Sequence, residues 1–178
     1  MENKGQKIAI LYEDEKHYQL KPNVSYTYSP DPKPVIPLYY QKQEKVSTFG
    51  MIEIMTGQLF LGTSATANKF TFIEYIKSVQ ENLIDYDQIW IILDGASYHH
   101  LTKEELKLLI PKPQVTLIFL PAASPELNPA EEIWRLLKPQ YSNDPHKTIE
   151  SIIDVILSND LRKTPSLCES IRLIFTLN

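Results

Sequence analysis

Two acidic residues stand where a site could be built. Asp14 follows the apolar run Ile8–Tyr12, and Asp94 ends the run Ile89–Leu93. In open α/β sheets ligands gather beyond the carboxyl ends of strands, so carboxylates at such positions are well placed for chemistry. Aspartates there also commonly do no more than open a turn. Strand alternation puts Ile8, Ile10, Tyr12 and Asp14 on one face and Glu13 and Glu15 on the other, and spacing does not say which face is functional. A third acidic position lies in the segment from Leu120 to Lys138, where an apolar run passes into a proline-punctuated turn and then a helix beginning with Glu131 and Glu132. Here a structural reading competes with a chemical one. Asn128 is a good helix cap, Pro129 suits the first helical position, and Glu131 follows Asn128 by three residues, as in a capping box. Arg135 lies one turn beyond Glu131 and Lys138 nearly another turn on, forming either a solvated salt-bridge face or a short basic strip toward phosphates.

The other reactive types are less informative. His99 and His100 adjoin, adjacent positions rarely share one face, and no cysteine or carboxylate completes a zinc spacing along the chain. His99 is therefore read as a structural or outer-shell group and His100 as neither; His17 and His146 carry no signal. The 5 glycines form no phosphate-binding loop. Ser124 lacks the flanking glycines of a hydrolase nucleophile turn.

The elements that must position these residues follow from hydrophobic patterning. Ile8–Tyr12, Ile89–Leu93 and Val115–Leu120 are short, rich in β-formers and apolar at consecutive positions, which predicts strands covered on both faces. Val46–Leu61 breaks at Thr56-Gly57 and predicts a hairpin. Phe72, Ile73, Ile76, Val79 and Leu83 recur at helical spacing and predict a helix over Lys69–Leu83. Thr102-Lys103-Glu104-Glu105 is a capping box leading into a helix that Pro111 stops. Asn128-Pro129 opens a helix to about Leu137, Asp144-Pro145 opens another carrying Ile149, Ile152, Ile153 and Ile156, and Pro165–Leu177 is read as helical. Pro30, Pro32, Pro34 and Pro37 crowd one stretch too densely for helix or central strand, so it is an extended loop. The order predicts an α/β domain with a mixed sheet flanked by helices.

Composition bounds the rest. The 178 residues, 43% hydrophobic and 22% charged, correspond to one domain with a full core. A single cysteine, Cys168, excludes an internal disulfide and suits a reducing compartment. No apolar run approaches the ~20 residues of a membrane helix, and the first residues lack a signal peptide's apolar stretch. A net charge of −4 supplies no global basic field, so any contact with nucleic acid is local or assisted.

Together these residues carry a resemblance. Leu93-Asp94-Gly95-Ala96-Ser97-Tyr98-His99, then Leu120-Pro121, Ser124-Pro125-Glu126-Leu127-Asn128-Pro129-Ala130-Glu131, Trp134 and Leu137-Lys138 resemble the catalytic core of DDE transposases, and within them the mariner-like insertion-sequence superfamily. The 36 residues between Asp94 and Glu131 are close to that family's spacing. Leu11–Glu15 resembles its first strand, and Val46–Gly50 with Thr56-Gly57 its hairpin, so the likeness spans Ile8 to Lys138. Gly95, where many members have Asn, and Ala122-Ala123 before the Ser-Pro depart from the pattern.

The resemblance implies a ribonuclease H-like fold, with Asp14, Asp94 and Glu131 as metal-binding catalytic carboxylates. It does not extend to Glu13, Glu15 or Glu132. His99 and Asn128 are the expected outer-shell groups, and Arg135 and Lys138 the expected DNA contacts. Oxygen ligands of this kind favour Mg²⁺ or Mn²⁺, two ions in this chemistry. The implied activity is metal-dependent DNA cleavage and strand transfer. The implied partners are transposon ends and target DNA, a homodimer or larger synaptic assembly, and a separate DNA-binding module. The expected location is a bacterial cytoplasm at the nucleoid, or a nucleus. The family's N-terminal helix-turn-helix is not seen, so residues 1–178 are read as one catalytic domain. The alternatives are an inactive remnant serving as a DNA scaffold or oligomerisation module, and a nuclease without a joining step.

Overall fold

A computed structural model describes residues 5–19, 45–122, 124–142 and 148–158. Five strands form one sheet: β1 (Ile8–Gln19), β2 (Lys45–Glu53), β3 (Leu59–Ser64), β4 (Gln88–Leu93) and β5 (Gln114–Phe119). Their spatial order is β3-β2-β1-β4-β5. β1, β2 and β3 run antiparallel in sequence, whereas β4 joins β1 and β5 joins β4 in parallel. The expected hairpin is β2–β3. Its turn closes where the buried Glu53 carboxylate accepts both the Thr56 N–H and hydroxyl at 2.6 Å. Gly57 follows at φ 74°, a backbone region that disfavours any side chain with a Cβ.

Helices cover both faces of the sheet. On one face lies α1 (Lys69–Asn82), whose Phe72, Ile76 and Val79 pack on Leu11, Phe49, Met51, Ile89, Ile91 and Leu93. Asn68 and Thr71 cap it reciprocally, as a capping box does. On the other face lie α3 (Glu131–Ser142) and α4 (Ile149–Ser158), whose Ile133, Trp134, Leu137, Ile152 and Ile156 pack with Ile52 and Leu59. Between β4 and β5 the Thr102–Glu105 capping box forms, but it starts only the four-residue α2 (Lys103–Leu106). The chain then closes through i→i+3 bonds to Glu104, Glu105 and Leu106 instead of running helical to Pro111. Buried Gln80 fixes this connection, donating to the Ile110 and Pro113 carbonyls at 2.9 and 2.8 Å and accepting from the Ile110 N–H.

Three expectations change in detail. The apolar runs are not covered equally on both faces. β1 and β4 alternate between fully buried and half-buried residues, and β5, paired only with β4, leaves Ile118 and Phe119 exposed. α3 starts at Glu131, because the Pro129-Ala130 turn bonds i→i+3, and it runs past Leu137 to Ser142. α4 starts behind Thr148, whose hydroxyl accepts the Ser151 N–H at 3.1 Å. Asp144-Pro145, the proline stretch Pro30–Pro37, Pro165–Leu177, His146 and Cys168 lie outside the described residues. No described helix is long and apolar enough to cross a membrane.

Candidate active site

The site is built on the two central strands. β1 and β4 pair in parallel up to Tyr12–Ile92; Asp14 lies two residues past that pairing within β1, and Asp94 two residues past it, just beyond β4. Alternation along β1 separates its acids. Asp14 projects toward α3, where the Trp134 indole N–H donates to its Oδ2 at 2.7 Å. Glu13 projects to the opposite face, where it is only 1% exposed.

Gly50 makes the Asp14–Trp134 contact possible. It pairs directly with Asp14 across β1–β2, and a Cβ there would lie 2.9 Å from the Trp134 ring and 3.2 Å from Ile133. The absent side chain is what lets the indole cross the strand.

Asp94 stands at the exposed end of β4, its side chain 60% accessible. Its Oδ1 accepts the Ala96 N–H at 2.9 Å and lies 2.9 Å from His99 Nδ1. His99 is fully buried against Phe72, with ring centroids 4.6 Å apart. Its Nε2 lies 2.8 Å from Glu15 Oε1 and 3.5 Å from Glu13 Oε2.

Glu131 is exposed at the first residue of α3. Capping of α3 does not follow the expected box. Buried Asn128 accepts the Ala130 N–H at 3.1 Å with its Oδ1 and donates from Nδ2 to the Glu13 carbonyl at 2.7 Å. That second bond ties the start of α3 to β1.

Burial first, and charge crowding after it, shift the ionisable groups of the site. Burial, then the charges of Glu15 and Glu131, push the Asp14 carboxyl up to about 6, against the lowering effect of the Trp134 N–H. Burial drives Glu13 well above the usual carboxylate range, and Glu15, Asp14 and Asp94 push the same way. For His99, burial alone lowers the value, but the Glu15 hydrogen bond and the charges of Glu15 and Asp94 outweigh it and the net shift is upward.

The predicted residues therefore fall into two groups. Glu131 is near enough to Asp14 to raise its pKa, and Asp94 is joined to His99. Among the described residues, donor atoms of Asp14, Asp94 and Glu131 do not all come within 4.8 Å of one another; those of Glu13, Glu15 and His99 do. Arg135 is paired through Nε and a second guanidinium nitrogen with Glu132, three residues before it, and its side chain stays exposed. For Lys138 only its place in α3 is described.

Sequence reasoning missed the Glu13–Glu15–His99 cluster and the roles of Trp134 and Gly50. A zinc-type test looks for ligands close along the chain. These three meet because Glu13 and Glu15 share one face of β1 and His99 follows the adjacent parallel strand. The i, i+2 spacing of the two glutamates was the available signal.

The strand-end expectation holds for Asp94, which follows β4, but Asp14 lies inside β1, which runs on to Gln19 because β2 pairs with it that far. A mixed sheet with two antiparallel and two parallel pairings and helices on both faces, carrying these acids, is a ribonuclease H-like fold. Residues 9–153 match the family described as DDE superfamily endonuclease, and the chain belongs to that family. A stretch of 81 residues is 33% identical to the uncharacterized protein y4pE/y4sA of Sinorhizobium fredii (strain NBRC 101917 / NGR234), covering 45% of this chain and 56% of the relative. In structure the chain is similar to the Mos1 strand transfer complex, with a TM-score of 0.59, 15% identity and coverage of 93% of this chain and 51% of that one. It is likewise similar to the Mos1 mariner paired end complex with Mn, at TM-score 0.57, 14% identity, 94% and 54%. A chain of the simian T-cell lymphotropic virus intasome in complex with PP2A regulatory subunit B56 gamma gives a TM-score of 0.55 at 10% identity, covering 84% and 47%. The chain spans about half the length of these proteins.

Proposed function

We propose that this chain is the catalytic domain of a mariner-like insertion-sequence transposase, which cuts DNA phosphodiester bonds and joins the freed end to a second DNA. The observation that supports the reading is that Asp14 lies on β1 and Asp94 follows the adjacent parallel strand β4, with Glu131 near enough to Asp14 to raise its pKa. Asp14, Asp94 and Glu131 are oxygen donors of the kind that suits Mg²⁺ or Mn²⁺, and burial disfavours the charge on Asp14, although their donor atoms do not all lie within 4.8 Å of one another. Two such ions, when bound, activate water, hold the scissile phosphate and stabilise the leaving 3′ oxygen.

The chain's own residues do the rest. The Trp134 N–H orients Asp14 through Oδ2, and the Ala96 N–H and His99 Nδ1 orient Asp94 through Oδ1. Asn128 anchors the start of α3, and with it Glu131, to the backbone of β1. In cleavage a water oxygen bonds to phosphorus, the P–O3′ bond breaks and the departing 3′ oxygen takes a proton. In joining, that 3′ oxygen attacks a phosphorus of the target strand and a target 3′ oxygen leaves. The net charge of −4 supports sequence recognition by a separate module, and the family resemblance implies a synaptic dimer on DNA, with Arg135 and Lys138 as contacts to phosphates.

Purified protein, supplied with an end-binding module and Mn²⁺, is expected to nick DNA carrying transposon ends, and Asp94→Asn to abolish nicking. No cation-dependent nicking, or equal nicking by the variant, overturns the reading. A pre-cut end joined to target DNA separates a transposase from a nuclease that only cuts.

A further inference from the structure

Behind the proposed catalytic face, on the opposite side of β1, lies a second set of donors. Glu13 is 1% exposed, yet neither carboxylate oxygen has a hydrogen-bond partner. A buried carboxylate left this way costs several kcal/mol unless something satisfies it. Its Oε2 lies 3.5 Å from His99 Nε2, and Glu15 Oε1 approaches the same nitrogen at 2.8 Å. One donor atom from each of the three residues lies within 4.8 Å of the other two, a spread that ligands of one ion can have.

The histidine is already oriented as a ligand. Nδ1 lies 3.2 Å from the Asp94 carbonyl and 2.9 Å from Asp94 Oδ1, so Nδ1 carries a proton toward Asp94 and Nε2 faces the two glutamates. A ligating histidine characteristically gives its other N–H to a carboxylate or carbonyl in this manner. Phe72 and Tyr98 hold the ring in place, each with its centroid 4.6 Å from that of His99.

We infer that Glu13, Glu15 and His99 form a buried site for one divalent transition cation, distinct from the Asp14–Asp94–Glu131 centre. Two carboxylate oxygens and one imidazole nitrogen suit Mn²⁺, Fe²⁺ or Zn²⁺ rather than Mg²⁺. The ion replaces the proton that otherwise sits between His99 and Glu15, and it neutralises the two glutamates. Through His99 it also holds Asp94 Oδ1; that consequence alone rests on the proposed function.

The nitrogen ligand makes the test specific. The full chain carrying Asp14→Asn and Glu131→Gln, which lacks two ligands of the proposed catalytic centre, is titrated with Mn²⁺ and measured by calorimetry and pulsed EPR. The expected result is one ion per chain with hyperfine coupling to a directly bonded ¹⁴N, and a melting temperature that rises with Mn²⁺. Adding His99→Gln removes the nitrogen coupling, and adding Glu13→Gln weakens binding at least tenfold. No bound ion, an ion with oxygen ligands only, or nitrogen coupling that survives His99→Gln overturns the inference in favour of a proton shared within the cluster. The first two of those readings need no variant at Glu13 or His99, so they stand even if such variants fail to fold. Loss of nicking in the double variant bears on the catalytic reading and leaves this one to the EPR result.

Discussion

The indole N–H of Trp134 donates to Asp14 Oδ2 at 2.7 Å, joining a helix and a strand 120 residues apart. The contact spans Gly50, so a residue with no side chain, one with a large ring and an acid form a single unit. Trp134 is also 94% buried in the second core, so the bond that orients the acid is braced by packing.

Trp134→Phe keeps most of the ring and removes the donor. Asp14 loses a lowering influence, so its carboxyl titrates higher still and binds cations less readily at neutral pH. Nicking should fall about tenfold at limiting Mn²⁺ and recover in part as Mn²⁺ is raised, with a stability loss of about 1 kcal/mol. A Mn²⁺ titration of nicking, paired with urea melts, checks both. Unchanged Mn²⁺ dependence would mean the bond has no part in the site.

Gly50→Ala places a Cβ 2.9 Å from the Trp134 ring, and the adjoining Ile133 leaves the ring little room to withdraw. Overpacking of this kind costs about 1–3 kcal/mol. Gly95→Ala meets nothing within 4 Å and serves as the comparison, with an expected change below about 0.5 kcal/mol. Denaturant midpoints of the two variants should separate clearly.

Metal-free protein should lose stability as pH rises through the titration of Asp14. The folded-state value of about 6 exceeds the ordinary 3.8, so the folded chain binds the proton more tightly than the unfolded chain. The resulting stabilisation is complete below about 3.8 and gone above about 6. Between pH 4 and 7, wild type should therefore lose up to about 3 kcal/mol relative to Asp14→Asn. Chemical denaturation in chelator across that range measures the difference; parallel curves for the two proteins refute the assignment.

Asn128→Ala removes a buried side chain that holds both the Glu13 carbonyl and the Ala130 N–H. Leaving those groups without partners costs about 1–3 kcal/mol. Because the same bond ties Glu131's helix to β1, nicking should fall further than global stability explains. Activity measured well below the variant's melting temperature distinguishes the two effects.

Much of the architecture was legible before any coordinates. The hairpin break at Thr56-Gly57, the α1 periodicity and the strands at Ile8, Ile89 and Val115 all rest on local rules: turn chemistry, 3.6-residue spacing and β-forming runs. α2 is shorter than its sequence suggests because a capping box signals where a helix starts and not how far it runs; tertiary bonds from Gln80 claim the segment beyond it. β5 reads as a covered strand in the sequence because composition alone does not reveal an edge strand, which is defined by the neighbour it lacks.

For the site, residue type and spacing separate the faces of Asp14 and Glu13 and give His99 a supporting role, whereas the choice of Asp14, Asp94 and Glu131 as ligands comes from the family resemblance. Which groups meet was settled only by the packing of strands and helices. The parallel pairing of β1 with β4 brings His99 onto Glu13 and Glu15, and the gap at Gly50 admits Trp134 to Asp14. The reason is range: propensity and periodicity act over a few residues, whereas a contact between residues 84 or 120 apart depends on register, crossover and available volume, which exist only once the chain has folded.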